Sequence, residues 1–295
     1  MGILTIYGIQ ESITAENPFI QYMINTGQIT AIQRDDYVRF GLYRAQSLTR
    51  WMESFGTVCV FALLFMLNCA FKGIIKFKIR VYIMAILLTV SIFVTGSRSM
   101  IAMLAIASLS LLPYFYKRTK YVMLFAILII VFVYNNPDYI SDLATSFTDT
   151  ASAGGSSING REWQFLSALS FYYNSPIFGN GINFIDEALN QSSGLMGAES
   201  IIFKTLVDRG NIGMITLIFL YLNVIYVLYK KRQFSMIFLV LAYMFGKIAT
   251  LIYGHSEVYV LFWIVMLLKL YDVHSEKART RISDSVHNNC IKNIY

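Results

Sequence analysis

Seven apolar segments, two of them (Val81–Thr95 and Tyr121–Tyr134) shorter than a full span, constrain the fold of this chain more than any other feature. A helix that crosses the hydrocarbon core of a bilayer needs about 20 apolar residues. The candidates are Ser54–Phe71, Val81–Thr95, Met100–Tyr116, Tyr121–Tyr134, Ile212–Tyr229, Phe234–Tyr253 and Glu257–Tyr271. The sequence therefore predicts an all-α integral membrane protein, a polytopic bundle of about seven transmembrane helices.

Composition supports this class and excludes others. The 295 residues are 56% hydrophobic and only 14% charged, with a mean hydropathy of +0.56, whereas soluble domains carry about 25% charged residues. The net charge of +7 does not indicate nucleic acid, because the basic residues lie in short clusters between apolar segments. The three cysteines, Cys59, Cys69 and Cys290, are too few for a disulfide framework and are interpreted as free thiols.

The basic clusters fall at alternate connections and so predict the orientation. They follow the first, third and fifth segments and the last one, and comprise Lys72, Lys76, Lys78, Arg80, Lys117, Arg118, Lys120, Lys230, Lys231, Arg232, Lys277, Arg279 and Arg281. The positive-inside rule makes that side cytoplasmic. The long connection Asn135–Asn211 then lies outside, and its three basic and eight acidic side chains are consistent with that side.

Five regions follow from this topology. We expect an extracytoplasmic segment at 1–53, four transmembrane helices at 54–134, a large extracytoplasmic helical loop at 135–211, three transmembrane helices at 212–272 and a cytoplasmic tail at 273–295. Met1–Ile9 is apolar but too short to span and resembles the end of a helix, and the segment 1–53 as a whole reads as extended. A topology that starts outside without a preceding span leads us to expect a longer N-terminal region.

The long loop carries two predicted helices. Asn159 is the expected cap of a helix over Gly160–Tyr173, which Ser175-Pro176 ends. Gly179 and Gly181 permit a tight return or a close approach of another group. A second helix is expected over Ala198–Arg209. One face of the first helix is apolar and is expected to rest on the membrane surface or on the helix bundle; it carries Trp163, Leu166, Leu169 and Tyr173. Gly210 and Gly213 are expected to break the second helix before the next span.

Several titratable side chains from distant parts of the chain converge on the predicted external interface. They are Arg44 before the first span, Arg98 in the turn Gly96–Ser99, Arg161 in the first turn of the loop helix, Glu199 near the second helix, Lys247 in the outer third of a span and His255 at its external end. Each also has an ordinary interpretation, as a solvated loop charge, an interfacial anchor or a carboxylate that favours a helix start. Their convergence is the argument for a site.

Three motifs carry a family resemblance. The first motif is Gly96-Ser-Arg98-Ser, and the second is Gly160-Arg-Glu-Trp163 followed by Ser175-Pro-Ile-Phe-Gly-Asn-Gly181. The third is Glu199-Ser200, which leads to Gly210-Asn-Ile-Gly213. Together they resemble the O-antigen ligase/polymerase (Wzy-like) family of bacterial membrane glycosyltransferases. The resemblance covers roughly Arg44 to Tyr271. It implies transfer of a glycan from an undecaprenyl-diphosphate carrier to an acceptor hydroxyl at the outer face of the cytoplasmic membrane. Members usually have more spans, which fits the expected longer N-terminal region.

The resemblance implies a chemistry and candidate roles. A base helps to deprotonate the acceptor, and fixed positive charge stabilises the departing diphosphate. Glu199 is the candidate base, with His255 as the alternative, and Arg161, Arg98, Lys247 and Arg44 are the candidate diphosphate ligands. No metal and no cofactor are expected, because guanidinium groups supply the positive charge. The expected partners are the lipid bilayer and the lipid-linked oligosaccharide, with a flippase and a chain-length regulator as further candidates.

The function is predicted with two alternatives open. Ligases of the family place His-Asn where this chain has Glu199-Ser200, which favours a polymerase of capsule, exopolysaccharide or O-antigen repeat units. A ligase remains the enzymatic alternative. A transporter or flippase of lipid-linked sugar is the third reading, and it is disfavoured because no internal repeat is visible and the external loop is large.

Overall fold

The computed structural model describes residues 1–27, 38–39, 42–49, 51–71, 73–76, 78–114, 158–191 and 200–249, and the single residues Met123, Ile127, Ile130, Tyr134, Pro137 and Ser141. These residues are helical apart from turns and one antiparallel ladder of two-residue strands, β1 (Val38–Arg39) and β2 (Leu42–Tyr43), in which Val38 faces Tyr43. The all-α prediction is thus confirmed for the described part of the chain, except for this short ladder.

Nine α-helices and one 3₁₀ segment make up the rest of the described structure. In chain order they are α1 (Gly2–Thr14), α2 (Pro18–Asn25), α3 (Met52–Phe71), α4 (Ile79–Val94), α5 (Arg98–Ser108), the 3₁₀ segment (Leu109–Tyr114), α6 (Ile158–Asn174), α7 (Phe184–Gln191), α8 (Ile201–Lys230) and α9 (Phe234–Ala249). The 3₁₀ segment continues α5 directly, so together they form the third predicted span.

Helix α3 runs parallel to α5 and its 3₁₀ extension. At one end the Thr57 hydroxyl donates to the sulfur of Met100 at 3.4 Å. At the other end the Asn68 amide donates to the Ser110 hydroxyl at 3.1 Å. Helix α4 connects the two and packs against α3. Successive membrane-spanning segments alternate in direction, and the parallel course of α3 and α5 is what the first and third of three spans require.

The core lies among α3, α4, α5, α8 and α9. Its largest fully buried side chains are Phe55, Leu63, Leu64, Leu88, Ile92, Met100, Met103, Leu228, Met236 and Leu239. Gly56 lets α3 approach α5 closely, since a Cβ there would lie 2.6 Å from Cγ of Met100. The ring of Phe61 on α3 meets Tyr243 on α9 edge-on, with centroids 5.7 Å apart. Close packing of this kind stabilises a unique arrangement of helices.

Two described helices, α3 and α8, are long and apolar enough to cross a membrane, and α4, α9 and the extended α5 are shorter apolar helices. Five predicted spans therefore correspond to helices, and the structure is consistent with a helical membrane protein. The fourth predicted span, Tyr121–Tyr134, is described only at single residues, which are helical. The seventh, Glu257–Tyr271, lies outside the described residues, so the count of seven stays a prediction.

The N-terminal region is folded: α1 confirms the expectation of helix over Met1–Ile9, whereas α2 lies in a part that was expected to be extended. Helix α1 packs along α4, and α2 begins with Asn17, whose side-chain oxygen accepts from the amide of Ile20 at 3.0 Å. Pro18 at the first helical position suits this start, because the missing N–H would have no partner there. The chain then returns through residues 43–47, which lie between α1 and the C-terminal end of α4.

Candidate functional site

Arg44 is held against the turn between α4 and α5 (residues 95–97, the α4–α5 turn). The residue is 8% exposed, its Nε donates to the Thr95 carbonyl at 3.0 Å, and its Nη2 pairs with Glu53 Oε1 at 3.1 Å. Gly96 has φ +59°, and a Cβ there would lie 3.0 Å from Cγ of Arg44. The aliphatic part of the Arg44 side chain therefore fills the space beside Gly96.

Arg98 is the first residue of α5 and is half-buried. The residue before it, Ser97, stands at the N-cap and its hydroxyl lies 2.9 Å from the Ser99 hydroxyl. Helix N-termini favour anions through unpaired N–H groups and the helix dipole. The structure thus brings Arg44 and Arg98 to one turn at the start of a helix, where the charge of Arg44 is paired with Glu53.

Lys247 lies in the last turn of α9 and is 3% exposed, so it does not extend to the surface. Its ammonium lies 5.8 Å from the centroid of the Tyr243 ring, within the range of a cation–π interaction. Helix α9 packs against α5. A lysine buried in a bundle of apolar helices is costly unless its neighbours stabilise the charge, which makes it a candidate for a functional role.

Helix α6 carries Arg161 in its first turn, but it starts earlier than predicted. The helix begins at Ile158, so Asn159 lies inside it and does not cap it. On the predicted apolar face, Leu166 and Tyr173 are exposed in the protein, whereas Gln164 and Ala168 of the helix are buried. Small Ala168 packs with Val207 of α8 and with Ile185 of α7. The side of α6 that faces α7 and α8 is therefore a different one from the predicted apolar face, which stays free to contact the membrane surface.

The chain leaves α6 through a loop that is hydrogen-bonded to a kink in α8. We name residues 175–181 together with 207–212 the glycine clasp. The amides of Asn180 and Gly181 donate to the carbonyls of Val207 and Asp208 at 2.9 and 3.0 Å. In the other direction, the amides of Asn211 and Ile212 donate to the carbonyls of Pro176 and Ile177 at 2.8 and 3.2 Å. Ladder-like bonds thus join the two segments at both ends.

Side chains reinforce the glycine clasp. The side-chain amide (Nδ2) of Asn180 donates to the backbone carbonyls of Phe171 and Val207 at 2.9 and 3.0 Å. The Tyr172 hydroxyl donates to Asn211 Oδ1 at 3.0 Å. The end of α6 is therefore tied to the kink of α8 both through the loop and directly. The predicted end of α6 at Ser175-Pro176 and the close approach at Gly179 are both confirmed.

Asp208 connects the glycine clasp to α7. It is 4% exposed, and its two carboxylate oxygens accept from the amides of Asn183 and Ile185 at 3.2 and 3.0 Å. These amides belong to the start of α7, so Asp208 supplies a cap from another element and places negative charge at a helix N-terminus. In the sequence, Asp208 is one of eight acidic side chains of the long loop. Only its position directly before Arg209-Gly210 could have indicated a structural role.

Helix α8 joins two elements that were predicted separately. Its first part was expected over Ala198–Arg209 but begins at Ile201, where the Ser200 hydroxyl accepts from the amide of Ile202 at 3.3 Å. Gly210, with φ +62° and ψ −160°, kinks the helix as predicted. Gly213 does not break it, because the helix continues through Gly213 into the fifth predicted span. The kink thus couples the loop rigidly to a long apolar helix.

The remaining candidates are placed by sequence only. Glu199 directly precedes the N-cap Ser200, and both Glu199 and His255 lie outside the described residues. Of the six candidates, the structure describes the side chains of Arg44, Arg98 and Lys247. For Arg161 it gives the position in the backbone of α6.

Residues 83–218 match the family model described as O-antigen ligase. The match covers less than half of the chain and is narrower than the expected range from Arg44 to Tyr271, but it confirms the resemblance over α4 to α8. It includes Arg98, Arg161, Glu199 and the glycine clasp, and it excludes Arg44, Lys247 and His255. No curated protein sequence matches the chain at a significant level. The match indicates a membrane protein of polysaccharide assembly with a function of the O-antigen ligase or polymerase type.

Proposed function

We propose, from the O-antigen ligase match over residues 83–218, that this chain is a membrane glycosyltransferase that polymerises undecaprenyl-diphosphate-linked repeat units into a surface polysaccharide. The observation that carries the proposal is that the matched region contains two structured elements that bear candidate arginines. It holds a turn that presents Arg98 at a helix start and a loop unit, bearing Arg161, that is fastened to a long apolar helix. A membrane anchor alone would need neither.

The proposed reaction is a direct displacement at the anomeric carbon. The acceptor hydroxyl attacks, the bond between that carbon and the diphosphate oxygen breaks, and the diphosphate leaves with the electron pair while the configuration inverts. Glu199 takes the acceptor proton, and His255 is the alternative base. Arg161 and Arg98 hold the diphosphate, because a guanidinium donates two parallel hydrogen bonds to phosphate oxygens. These charges do the work that a metal does in other transferases, so the proposed mechanism is metal-independent.

Arg44 and Lys247 have different parts in this proposal. Arg44 is engaged by Glu53 and by the Thr95 carbonyl, so we assign it support of the α4–α5 turn that presents Arg98. Lys247 is buried beside α5 and supplies positive potential from inside the bundle. Field from a buried charge is weakly screened, so it acts on a nearby diphosphate without a direct contact.

The proposed topology places the long loop outside the bacterial cytoplasmic membrane and the C-terminus in the cytoplasm. The supporting observation is the distribution of basic clusters at alternate connections. The substrate would then be an undecaprenyl-diphosphate-linked oligosaccharide delivered by a flippase. A chain-length regulator is a further proposed partner.

A ligase is the second candidate, and the description of the matching family favours it. Glu199-Ser200 stands where the ligase motif has His-Asn, which is why we place the polymerase first. A null mutant separates the two readings. Accumulated single repeat units on the carrier support a polymerase, whereas accumulated carrier-linked polymer identifies a ligase.

Complementation of a null mutant tests the proposed site residues. We expect Arg161→Ala and Glu199→Gln to abolish long polymer while the protein is present in the membrane at the wild-type level. Arg209→Ala is the matched control, because Arg209 is an exposed arginine of the same unit with no proposed role. Polymer of wild-type length from both Arg161→Ala and Glu199→Gln would remove the proposed site.

A further inference from the structure

We propose that Glu11 of α1 is a positioning residue for the candidate site: it holds Arg44 against the α4–α5 turn and so fixes Arg98 at the start of α5. The inference rests on the proposed function, in which Arg98 binds the diphosphate. The family match begins at residue 83, so neither Glu11 nor Arg44 belongs to the matched region. Glu11 acts through the backbone of residues 43–47, which we name the strap.

Glu11 fixes a bend in the strap. It is 1% exposed, and its Oε2 accepts from the amides of Gln46 and Ser47 at 3.1 and 2.6 Å. Ser47 has φ +55°, a backbone conformation that residues with a side chain adopt rarely. Such a conformation persists only where the surrounding structure enforces it. Loss of the carboxyl group would leave two buried amides without their acceptor, which is costly, so the bend should relax.

Further hydrogen bonds attach both ends of the strap to α1 and to the start of α2. The Ser12 hydroxyl donates to the Tyr43 carbonyl at 2.8 Å. The Ser47 hydroxyl donates to the Leu4 carbonyl at 2.7 Å, and the side-chain amide of Asn17 donates to the Ser47 carbonyl at 2.9 Å. One side of the strap is therefore held by the first two helices.

The other side of the strap is bonded to the C-terminal end of α4. The Ala45 amide donates to the carbonyl of Val94, the last residue of α4, at 2.9 Å. The Nε of Arg44 donates to the carbonyl of Thr95, the first residue of the turn, at 3.0 Å. The bend at Gln46 lies two residues after Arg44, so its position is transmitted to the Arg44 side chain over a short stretch of backbone.

Arg44 in turn determines the shape of the α4–α5 turn. Gly96 has φ +59°, and a Cβ there would lie 3.0 Å from Cγ of Arg44. Arg98 is the first residue of α5 and follows Gly96 by two positions. If the Arg44 side chain moves away, the turn can relax and Arg98 moves with it. A shift of about 1 Å in a group that positions a substrate is enough to impair the reaction.

Helix α1 has contacts with the bundle that do not need Glu11. A Cβ on Gly2 would lie 3.5 Å from Cε of Met84 on α4, and a Cβ on Gly8 would lie 2.6 Å from the ring of Phe55 on α3. These contacts hold α1 in place when the carboxyl group is removed. Substitution of Glu11 should therefore loosen the strap selectively and leave the helix packed.

Hydrogen exchange in the full chain, in liposomes and without substrate, tests whether Glu11 holds the turn. We expect Glu11→Ala to speed exchange in peptides that cover the strap and residues 95–98, and Arg44→Ala to speed it at 95–98. Glu11→Gln keeps an acceptor oxygen and should restore slow exchange. Thr5→Ala is the matched control, because the buried Thr5 hydroxyl donates to the Gly2 carbonyl within α1, and it should leave 95–98 unchanged.

Two exchange patterns would overturn the proposal. Unchanged exchange at 95–98 in Glu11→Ala would show that the strap does not transmit its position to the turn. Equal acceleration at 95–98 in Thr5→Ala and Glu11→Ala would show a general loosening of α1.

Transfer kinetics with the lipid-linked repeat unit test the consequence for Arg98. We expect Glu11→Ala to raise the KM about tenfold, because a displaced guanidinium loses hydrogen bonds to phosphate. A smaller folded fraction alone would lower the apparent kcat and leave the KM unchanged. In an Arg44→Ala background, Glu11→Ala should raise the KM no further, since both changes act on one contact. An unchanged KM in Glu11→Ala, or additive effects of the two changes, would overturn the positioning role.

The two measurements separate this inference from the proposed function. A wild type that transfers no sugar would contradict the proposed function, and exchange at 95–98 would then decide alone whether Glu11 holds the turn. Normal transfer by Glu11→Ala together with unchanged exchange would overturn the inference and leave the proposed function standing.

Discussion

Gly179 and Gly210 pack backbone against backbone: a Cβ on Gly210 would lie 2.6 Å from the amide nitrogen of Gly179. Both have positive φ, +78° and +62°, a region that L-residues with side chains rarely adopt. Only hydrogen atoms separate the loop after α6 from the kink of α8, which is why hydrogen bonds can form on both sides of the contact. This contact sets where the unit carrying Arg161 sits on α8.

We predict that Gly210→Ala destabilises the protein more than Gly181→Ala. Each change places a side chain at positive φ, at a cost of about 1–2 kcal/mol. Only Gly210 also has backbone atoms within 3 Å of the added Cβ, whereas Gly181 has nothing within 4 Å. Overpacking adds about 1–3 kcal/mol for Gly210→Ala. Thermal unfolding in detergent micelles measures the difference, and equal Tm values would contradict the close contact.

We predict that Asp208→Ala loosens α7 and lowers the Tm. The variant leaves the amides of Asn183 and Ile185 without their acceptor, and hydrogen bonds to a charged group are worth about 1.5–3 kcal/mol. Glu187→Ala on the exposed side of α7 is the control and should change the Tm little. Hydrogen exchange at the start of α7 should rise in Asp208→Ala. Unchanged exchange there would show that the cap does not hold this helix.

We predict that Arg44 and Glu53 are energetically coupled. Their side chains are 10% and 18% exposed and 3.1 Å apart, so the pair is less screened than a surface pair. A double-mutant cycle with Arg44→Ala, Glu53→Ala and the double variant should give a coupling of about 1–3 kcal/mol. Because the Arg44–Thr95 bond is lost in both variants that lack Arg44, it cancels in the coupling. Additive effects on the free energy of unfolding would mean that the ion pair contributes nothing.

We predict that Glu11 makes the protein less stable as the pH rises. Burial raises the pKa of Glu11 above its ordinary value of 4.5, although hydrogen bonds from Asn17, Ser47 and Gln46 oppose the shift. The folded state then holds a proton that the unfolded state has lost. Its stabilising effect is fully present below pH 4.5 and disappears as the pH rises through the raised pKa.

Glu11→Gln tests this dependence, because glutamine keeps an acceptor oxygen for the amides of Gln46 and Ser47 but does not titrate. The Tm of the wild type should fall relative to that of Glu11→Gln between pH 4.5 and neutral pH. Glu16→Gln, at an exposed position in the same region, is the control and should follow the wild type. Parallel Tm curves for wild type and Glu11→Gln would contradict the raised pKa.

Sequence predicted the elements whose signals are local. Ser175-Pro176 ends α6 and Gly210 kinks α8, since proline and glycine restrict or free the backbone wherever they stand. The apolar segments place α3, α4 and α9 with errors of a few residues at the ends. Helix termini are the least determined feature of such patterns, as the wrong start at Asn159 illustrates.

Features that depend on contacts between elements could not be predicted. Nothing in the sequence shows that Asp208 caps α7 or that Arg44 fills the space beside Gly96, because both need partners at distant positions. The side of α6 that packs against α7 and α8 could not be predicted for the same reason, because the burial of Ala168 depends on Ile185 and Val207. For the candidate site, the sequence predicted which residues take part. That Arg44 and Arg98 lie at the same turn, between α4 and α5, is known only from the structure.

The most direct test of the proposed function is synthesis by the purified protein. In liposomes that contain an undecaprenyl-diphosphate-linked repeat unit, we predict products of two or more repeats on the carrier and one undecaprenyl diphosphate released for each new glycosidic bond. Arg161→Ala should form none. Repeat units that cross the bilayer without any new bond would contradict the account and identify a transporter.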